Sequence, residues 1–199
     1  MPAKVRRTQI RNPQSATRLS SPKSIRNALR LAVMLGVLSG CTSTHEASEV
    51  ELQAVAALKK SQGALSGDKK GRLTRIDFGD RTVTEEDLVN AGRCARLDTL
   101  IIQGPTFNED WLVHLQGLRR LAQLSLKNTT ITDAGLEHVG KLTSLVELTL
   151  EDTKISDAGL AHLASLSDLK KLYLSGTDTT AAGVAGLKKS LPNVKVFGR

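Results

Sequence analysis

The chain has 199 residues, with 28 Lys and Arg against 20 Asp and Glu, which gives a formal net charge of +8. Residues 1–40 hold eight of the basic residues and no acidic one, so acids and bases balance over the rest of the chain. A neutral body releases few counterions from a phosphate backbone, and only 3% aromatic residues offer few surfaces for base stacking. Composition therefore excludes nucleic-acid binding as the main function, and two cysteines imply no disulfide framework.

The first 40 residues have the organisation of a secretory signal peptide with a long basic amino-terminal region. An apolar run from Leu31 to Leu38 follows Arg26 and Arg30, and it ends in small residues. The run is too short for a transmembrane helix, which needs about 20 apolar residues. We therefore expect residues 1–40 to be cleaved.

Residues 38–41, which read Leu-Ser-Gly-Cys, resemble the lipobox of bacterial lipoproteins. The resemblance implies cleavage after Gly40, lipid on the sulfur of Cys41 and acylation of the new amino terminus. More than one acyl chain is what anchors a protein stably. The expected location is the cell envelope, facing the periplasm or the cell surface, and Thr42 in place of an acidic residue favours the outer membrane. The alternative is a buried helix that ends at an ordinary cysteine.

The next segments predict a tether over residues 41–46 and an amino-terminal cap over residues 47–71. Residues 46–60 have helical periodicity, with Val50, Ala54, Ala57 and Leu58 on one face. Two short strands, at residues 64–65 and 73–78, flank a glycine-bounded turn. A helix and a hairpin of this kind would shield the open end of a repeat array.

Residues 72–199 contain one pattern five times at a spacing of 24 residues, which predicts a stacked repeat architecture. Each unit opens with strand-like alternation and continues with apolar residues at helical spacing, so we expect one strand and one helix per repeat. Two inward strand positions per repeat are predicted to form the core: Ile76 and Phe78, Leu100 and Ile102, Leu124 and Leu126, Leu148 and Leu150, Leu172 and Leu174.

The helix starts are marked by one polar register position in every repeat. Thr84, Asn108, Thr132, Ser156 and Thr180 occupy it, and all are good N-cap residues. An acidic residue follows in every repeat except the last, where Ala181 stands, and negative charge there suits the positive end of the helix dipole.

This unit resembles the leucine-rich repeat family, in the variety written Leu-x-x-Leu-x-Leu-x-x-Thr-x-Ile-Thr-Asp-x-Gly-Leu. The match is strongest over residues 119–175, and Arg81 and Pro105 depart from it where the family has Thr. The resemblance implies an α/β solenoid of about five repeats, with a parallel sheet on the concave face. Residues 191–196 are predicted to form a closing strand.

The outward strand residues form columns across the predicted sheet, and we expect a protein partner to bind them. The candidates are Arg75, Asp77, Thr99, Ile101, Gln123, Ser125, Lys127, Glu147, Thr149, Glu151, Lys171 and Tyr173. Ile101 and Tyr173 stand out because apolar and aromatic residues on such a face can anchor an interface. The alternative for the charged candidates is pairing between adjacent strands, Glu147 with Lys171 and Lys127 with Glu151.

The remaining conspicuous residues favour structural roles. His114, His138 and His162 are spaced by 24 residues, but helices packed about 8–10 Å apart keep such side chains from converging on one metal ion. Cys94 falls at a leucine position and is expected to be buried. Trp111 falls at a glycine position and is expected to pack where the cap meets the regular repeats; the alternative is an exposed binding residue. No catalytic motif, metal site or cofactor is predicted.

The sequence thus predicts a non-catalytic protein-interaction scaffold at the cell envelope, with an unidentified protein partner. Two alternatives stay open: a structural or self-associating envelope component, and an accessory subunit of an envelope enzyme.

Overall fold

The computed structural model describes residues 48–61 and 63–198; the predicted signal peptide, Cys41 and the tether lie outside the described residues. Its α-helices are α1 (Glu49–Lys60), α2 (Glu85–Gly92), α3 (Asp133–Val139), α4 (Asp157–His162) and α5 (Ala181–Ser190). Two 3₁₀ helices span Glu109–Leu115 and Leu163–Ser165. The strands are β1 (Ala64–Gly67), β2 (Leu73–Asp77), β3 (Thr99–Ile101), β4 (Gln123–Ser125), β5 (Glu147–Thr149), β6 (Lys171–Tyr173) and β7 (Lys195–Phe197).

The strands form one sheet in chain order. β1 pairs antiparallel with β2, and every later pair is parallel. The register advances by 24 residues per strand, so that Leu100, Leu124, Leu148 and Leu172 lie directly beside one another. β2 to β6 each open one repeat. β7 closes the array as the sequence predicts, but over Lys195–Phe197 rather than residues 191–196, because residues 192–193 form a turn.

The core runs along the whole array between the sheet and the helices. All ten predicted inward strand residues are at most 2% exposed, which confirms the alternation read from the sequence. The turns after the strands are held by threonine hydroxyls: Thr129, Thr153 and Thr177 each donate to the carbonyl three residues earlier, at 2.8, 2.6 and 2.8 Å. These bonds explain the threonine that recurs at this position.

The helix of the amino-terminal cap begins later than predicted and presents a different face. α1 starts after Ser48, whose side chain accepts a hydrogen bond from the Glu51 amide, and it buries Glu51, Ala54 and Leu58. Val50, predicted to be buried, is 55% exposed, and this prediction was wrong. Ala54 and Leu58 lie on the core side as predicted, and Glu51, which precedes Ala54 by three residues, takes the place on that face that was expected for Val50.

The second repeat also departs from the prediction, since a 3₁₀ helix replaces the expected α-helix. Trp111 occupies the position at which later repeats have glycine, and its ring packs edge-on against Phe107 with centroids 6.4 Å apart. Trp111 is half-buried against the core, in line with the packing role expected for it. We attribute the tighter helix to this bulky side chain, which cannot fit in the space of a glycine between neighbouring repeats.

Carboxylates join consecutive repeats at the helix starts. The first acidic residue of one helix accepts from both the N–H and the hydroxyl of the N-cap residue in the next repeat. Glu109 binds Thr132 at 2.7 and 2.9 Å, Asp133 binds Ser156 at 2.8 and 2.5 Å, and Asp157 binds Thr180 at 2.7 and 2.6 Å. The recurring acid therefore does more than complement a helix dipole. Ala181 ends the series in the last repeat, which has no later N-cap to hold.

The glycine three residues after each N-cap residue that receives such a link makes room for it. A Cβ on Gly135 would lie 2.6 Å from Glu109 Oε2, one on Gly159 would lie 2.9 Å from Asp133 Cγ, and one on Gly183 would lie 2.8 Å from Asp157 Cβ. Real Cβ atoms do not approach so closely. The Thr-Asp-x-Gly pattern thus encodes a contact between repeats as well as a helix start.

Candidate functional site

The sheet forms the inner surface of the array for a geometric reason. Adjacent strands lie about 4.8 Å apart, whereas packed helices need about 8–10 Å. A stack with strands on one side and helices on the other therefore curves towards its sheet, which leaves the outward strand residues on a concave face.

On this face the predicted residues fall into two columns along the strands and one just beyond them. The first column runs Arg75, Thr99, Gln123, Glu147 and Lys171, and the structure extends it to Lys195. The second runs Asp77, Ile101, Ser125, Thr149 and Tyr173, and it extends to Phe197. Lys127 and Glu151 lie just after β4 and β5. All twelve candidates are at least partly exposed, so the structure places them together on one accessible surface.

The charged members of this surface largely bind one another. Lys171 Nζ lies 3.0 Å from Glu147 Oε2, and Lys127 Nζ lies 2.9 Å from Glu151 Oε2. Each hydrogen bond raises the pKa of its lysine above the ordinary value, and the negative charge of the partner carboxylate adds to this effect. Arg75 pairs with Asp77 at 3.2 Å, and Thr99 donates to Gln123 at 3.2 Å. Exposed pairs of this kind contribute little to stability, but they do satisfy the polar groups of the face.

The apolar members are concentrated at a few positions. Ile101 is half-buried near the amino-terminal end of the face. At the carboxyl-terminal end, Tyr173 stacks on Phe197 with ring centroids 4.9 Å apart and an interplanar angle of 17°. Phe197 is 40% exposed. This aromatic pair is the largest apolar feature that the structure brings together among the candidates.

Six parallel strands lie in 24-residue register. Five of them, β2 to β6, bring two buried apolar residues each to the core and lead into a helix, and β7 closes the array with Val196. The fold is a leucine-rich repeat solenoid. No protein-family model matches the sequence, and no curated protein matches it.

Several solved structures are similar to this leucine-rich repeat domain. An internalin, InlF, of Listeria monocytogenes is 23% identical, with a TM-score of 0.45 over 56% of this chain and 30% of the internalin. A leucine-rich repeat protein of Leptospira interrogans is 15% identical, with a TM-score of 0.48 over 63% of this chain and 37% of that protein. The Arabidopsis receptor kinase HAESA, crystallised with the peptide hormone IDA and the co-receptor SERK1, is 11% identical, with a TM-score of 0.48 over 76% and 33%. The chain spans about a third of the length of each of these structures.

The residues weighed as chemical candidates have ordinary structural surroundings. Cys94 is fully buried, and this burial raises the pKa of its thiol to about 12, with a further contribution from the negative charge of Glu51. His114 Nε2 lies 3.1 Å from Glu85 Oε1, and His138 Nδ1 lies 3.4 Å from the Gln116 amide nitrogen. Within residues 48–61 and 63–198, no three His, Cys, Asp or Glu side chains are placed to hold a metal ion. In the same described part of the chain, no helix has both the length and the apolarity needed to cross a membrane.

Sequence reasoning missed two residues of the face, Lys195 and Phe197. The closing strand was predicted to end at residue 196, and its alternation was not carried into the two columns. Val196 at the inward position implies that residues 195 and 197 point outward, so the signal was present in the sequence.

Proposed function

We propose that this protein is a non-catalytic scaffold that binds another protein through the concave face of its repeats, held at the cell envelope by lipid on Cys41. The observation that carries the binding proposal is the apolar surface that Ile101 and Tyr173 leave partly exposed, and Phe197 exposed, on the side of the sheet that faces away from the core. Burial of such side chains by a partner supplies most of the affinity of protein interfaces.

The polar pairs on the face support a protein partner rather than a highly charged ligand. Glu147 with Lys171, and Lys127 with Glu151, neutralise each other locally. Their mutual hydrogen bonds leave few unmatched charges in the middle of the face. A partner that covers the face can leave these pairs bonded to each other, while its affinity comes from contacts with the apolar residues.

The binding proposal is tested by capture from detergent-solubilised envelopes. The bait is the full chain, compared with an Ile101→Arg, Tyr173→Ala double variant. A matched control is Val113→Arg, since Val113 is 45% exposed on the helical side. We expect a protein that is retained by the wild type and the Val113→Arg control but lost from the double variant. Equal capture by all three baits would place the interface elsewhere.

An absence of any captured protein would favour the self-associating alternative. Sedimentation velocity over a range of concentrations then distinguishes the two, because self-association gives a concentration-dependent sedimentation coefficient. A captured protein that carries its own catalytic motifs would favour the accessory-subunit alternative.

The lipid anchor is tested separately through Cys41. This part of the proposal is supported by the position of Cys41 as the fourth residue of the lipobox-like sequence Leu-Ser-Gly-Cys at residues 38–41. We expect Cys41→Ser to move the protein from the detergent phase to the aqueous phase of a Triton X-114 separation. Unchanged partitioning would remove the lipoprotein proposal and leave the binding proposal standing.

A further inference from the structure

The carboxyl-terminal end of the sheet has an open strand edge. β7 follows β6 as the last strand in the sheet, and among the described residues no strand pairs with its outer side. The Lys195 amide donates to the Lys170 carbonyl at 2.8 Å, and the Phe197 carbonyl accepts from the Leu174 amide at 3.0 Å. Backbone groups alternate in direction along a strand, so the N–H and C=O of Val196 point away from β6. This edge therefore offers one donor and one acceptor to an added strand.

The side chains of β7 give that edge a specific chemical order. Lys195 and Phe197 project onto the concave face, about 6.6 Å apart as residues i and i+2 of a strand. Val196 points to the opposite side and continues the inward column of Leu148 and Leu172, but it is only partly buried. Along the strand the edge thus reads positive, apolar, aromatic.

The charge at this edge is unmatched. Lys171 is bonded to Glu147 at 3.0 Å, whereas the exposed Lys195 beside it has no acidic partner within the described residues. Phe197 has Tyr173 stacked on one side, at 4.9 Å and 17°, and no strand on the other. Both side chains therefore lack a neighbour in the direction in which the sheet is open.

We propose that β7 binds an extended segment of a partner protein as an added parallel strand, in which an acidic, an aliphatic and an aromatic residue follow one another. The acidic side chain pairs with Lys195, the aliphatic one covers Val196 and extends the core, and the aromatic one stacks beside Phe197. The backbone of the segment bonds to the N–H and C=O of Val196. This inference rests on the proposed function as a protein-binding scaffold and names the chemistry of one part of its site.

A second copy of the same chain does not fit this occupant. Nowhere in the 199 residues does an acidic residue precede an aliphatic one and then an aromatic one.

The test uses the full chain and a fluorescein-labelled peptide, Gly-Ser-Glu-Val-Phe-Ser-Gly, with fluorescence anisotropy as the readout. We expect saturable binding, and a Kd about tenfold or more weaker for Phe197→Ala and for Lys195→Glu. A peptide with Lys in place of Glu should bind Lys195→Glu better than it binds the wild type. A peptide with the order reversed, Gly-Ser-Phe-Val-Glu-Ser-Gly, should bind the wild type about tenfold or more weakly.

Val196→Pro isolates the backbone contribution. Proline removes the outward N–H, and strand-edge positions with a solvent-facing N–H tolerate it. The hydrogen bonds between β6 and β7 do not use this N–H, so the melting temperature of the variant should stay close to that of the wild type. Binding of the peptide should nevertheless be lost. Undiminished binding by Val196→Pro, equal affinity for the reversed peptide, or no binding of either peptide would overturn the strand-addition proposal.

These outcomes are separable from the failure of the proposed function. If the peptide does not bind while envelope capture still depends on Ile101 and Tyr173, the scaffold proposal is supported and the strand-addition proposal is refuted. If the peptide binds as expected while capture is unchanged in the Ile101→Arg, Tyr173→Ala variant, the strand-addition proposal is supported and binding through the rest of the concave face is refuted.

Discussion

Substituting Gly159 by alanine separates the inter-repeat role of the Asp-Ala-Gly motif from helix propensity. Alanine in a helix is ordinarily more favourable than glycine by about 0.5–1 kcal/mol. Here the added Cβ would lie 2.9 Å from Asp133 Cγ and 3.1 Å from Leu136 Cδ1, so the Asp133 carboxylate must move. That carboxylate accepts from the Ser156 N–H at 2.8 Å and from its hydroxyl at 2.5 Å.

Hydrogen bonds to a charged group contribute about 1.5–3 kcal/mol each, and half-exposure of Asp133 reduces this. We take a combined loss of about 1–3 kcal/mol, from which the gain in helix propensity is subtracted. The net destabilisation then spans about 0–2.5 kcal/mol, with a middle value of about 1 kcal/mol, which corresponds to a fall in Tm of about 2–4 °C for a domain of this size. Urea denaturation followed by far-UV circular dichroism measures it.

Two comparisons make the test decisive. Gly186→Ala is the matched control, because a Cβ at Gly186 meets nothing within 4 Å, and it should stabilise the protein by about 0.5–1 kcal/mol. In an Asp133→Ala background the carboxylate no longer obstructs the added Cβ, and only the end of the flexible Leu136 side chain has to shift. Gly159→Ala should then stabilise the protein by up to about 0.5–1 kcal/mol. A stabilising Gly159→Ala in the wild-type background would refute the reasoning.

Three other predictions test the core, the cap and the links between repeats. Leu148→Asp buries an unpaired charge at the centre of the array and should abolish the cooperative melting transition, whereas Thr149→Asp on the outward side should retain it; a normal melt for Leu148→Asp would mean that the register is wrong. Glu51→Leu removes a buried carboxylate oxygen that has no hydrogen-bond partner and should raise the free energy of unfolding by about 1–3 kcal/mol in urea titrations, so a lower value would contradict this account of the cap. The Thr180 hydroxyl, followed by the Thr180 amide, lowers the pKa of Asp157 below its ordinary 3.8, so the stability it contributes is present above that pH and is lost as the pH falls through the lowered pKa. Thr180→Val should therefore weaken the fall of the free energy of unfolding as the pH is lowered. An unchanged pH dependence from pH 6 downwards would contradict a stabilising link between Asp157 and Thr180.

Most of the fold follows from the sequence because one period governs three kinds of residue at once. The inward leucines, the N-cap residues and the turn threonines all repeat every 24 residues. The sequence alone predicts that Leu124, Leu148 and Leu172 lie beside one another. Alternation within each strand leaves only one side of the sheet that can face the core.

The 24-residue period does not reveal which group each repeated side chain binds. An acid at a helix start is explained equally well by the helix dipole and by a bond to the next repeat, and a periodic sequence cannot distinguish them. Asp133 shows this: only its distances to Ser156 reveal the second role. The cap lies outside the 24-residue repeat, so the buried face of its helix was predicted from the spacing of apolar residues alone. That criterion cannot predict the burial of a charged residue such as Glu51.

The candidate face was predicted as a set of columns, and the structure places these residues on one surface. Its chemical use stays a prediction. The pairing of Glu147 with Lys171 was one of two alternatives in the sequence and is the one the structure contains. The stacking of Tyr173 on Phe197 required the closing strand to be extended by one residue.

The carboxylate links run in one direction only, each repeat holding the one that follows. They connect the second, third, fourth and fifth repeats, whereas Glu85 of the first repeat contacts His114 instead. In the language of one-dimensional cooperativity, the carboxylate part of the coupling between neighbours is therefore uneven along the array, because the Glu85–His114 contact takes its place at the first junction. A pulling force applied through the amino terminus would reach that junction after the cap and the first repeat. The four carboxyl-terminal repeats, which the carboxylate links connect, should therefore stay folded as a block after the cap and first repeat have unfolded.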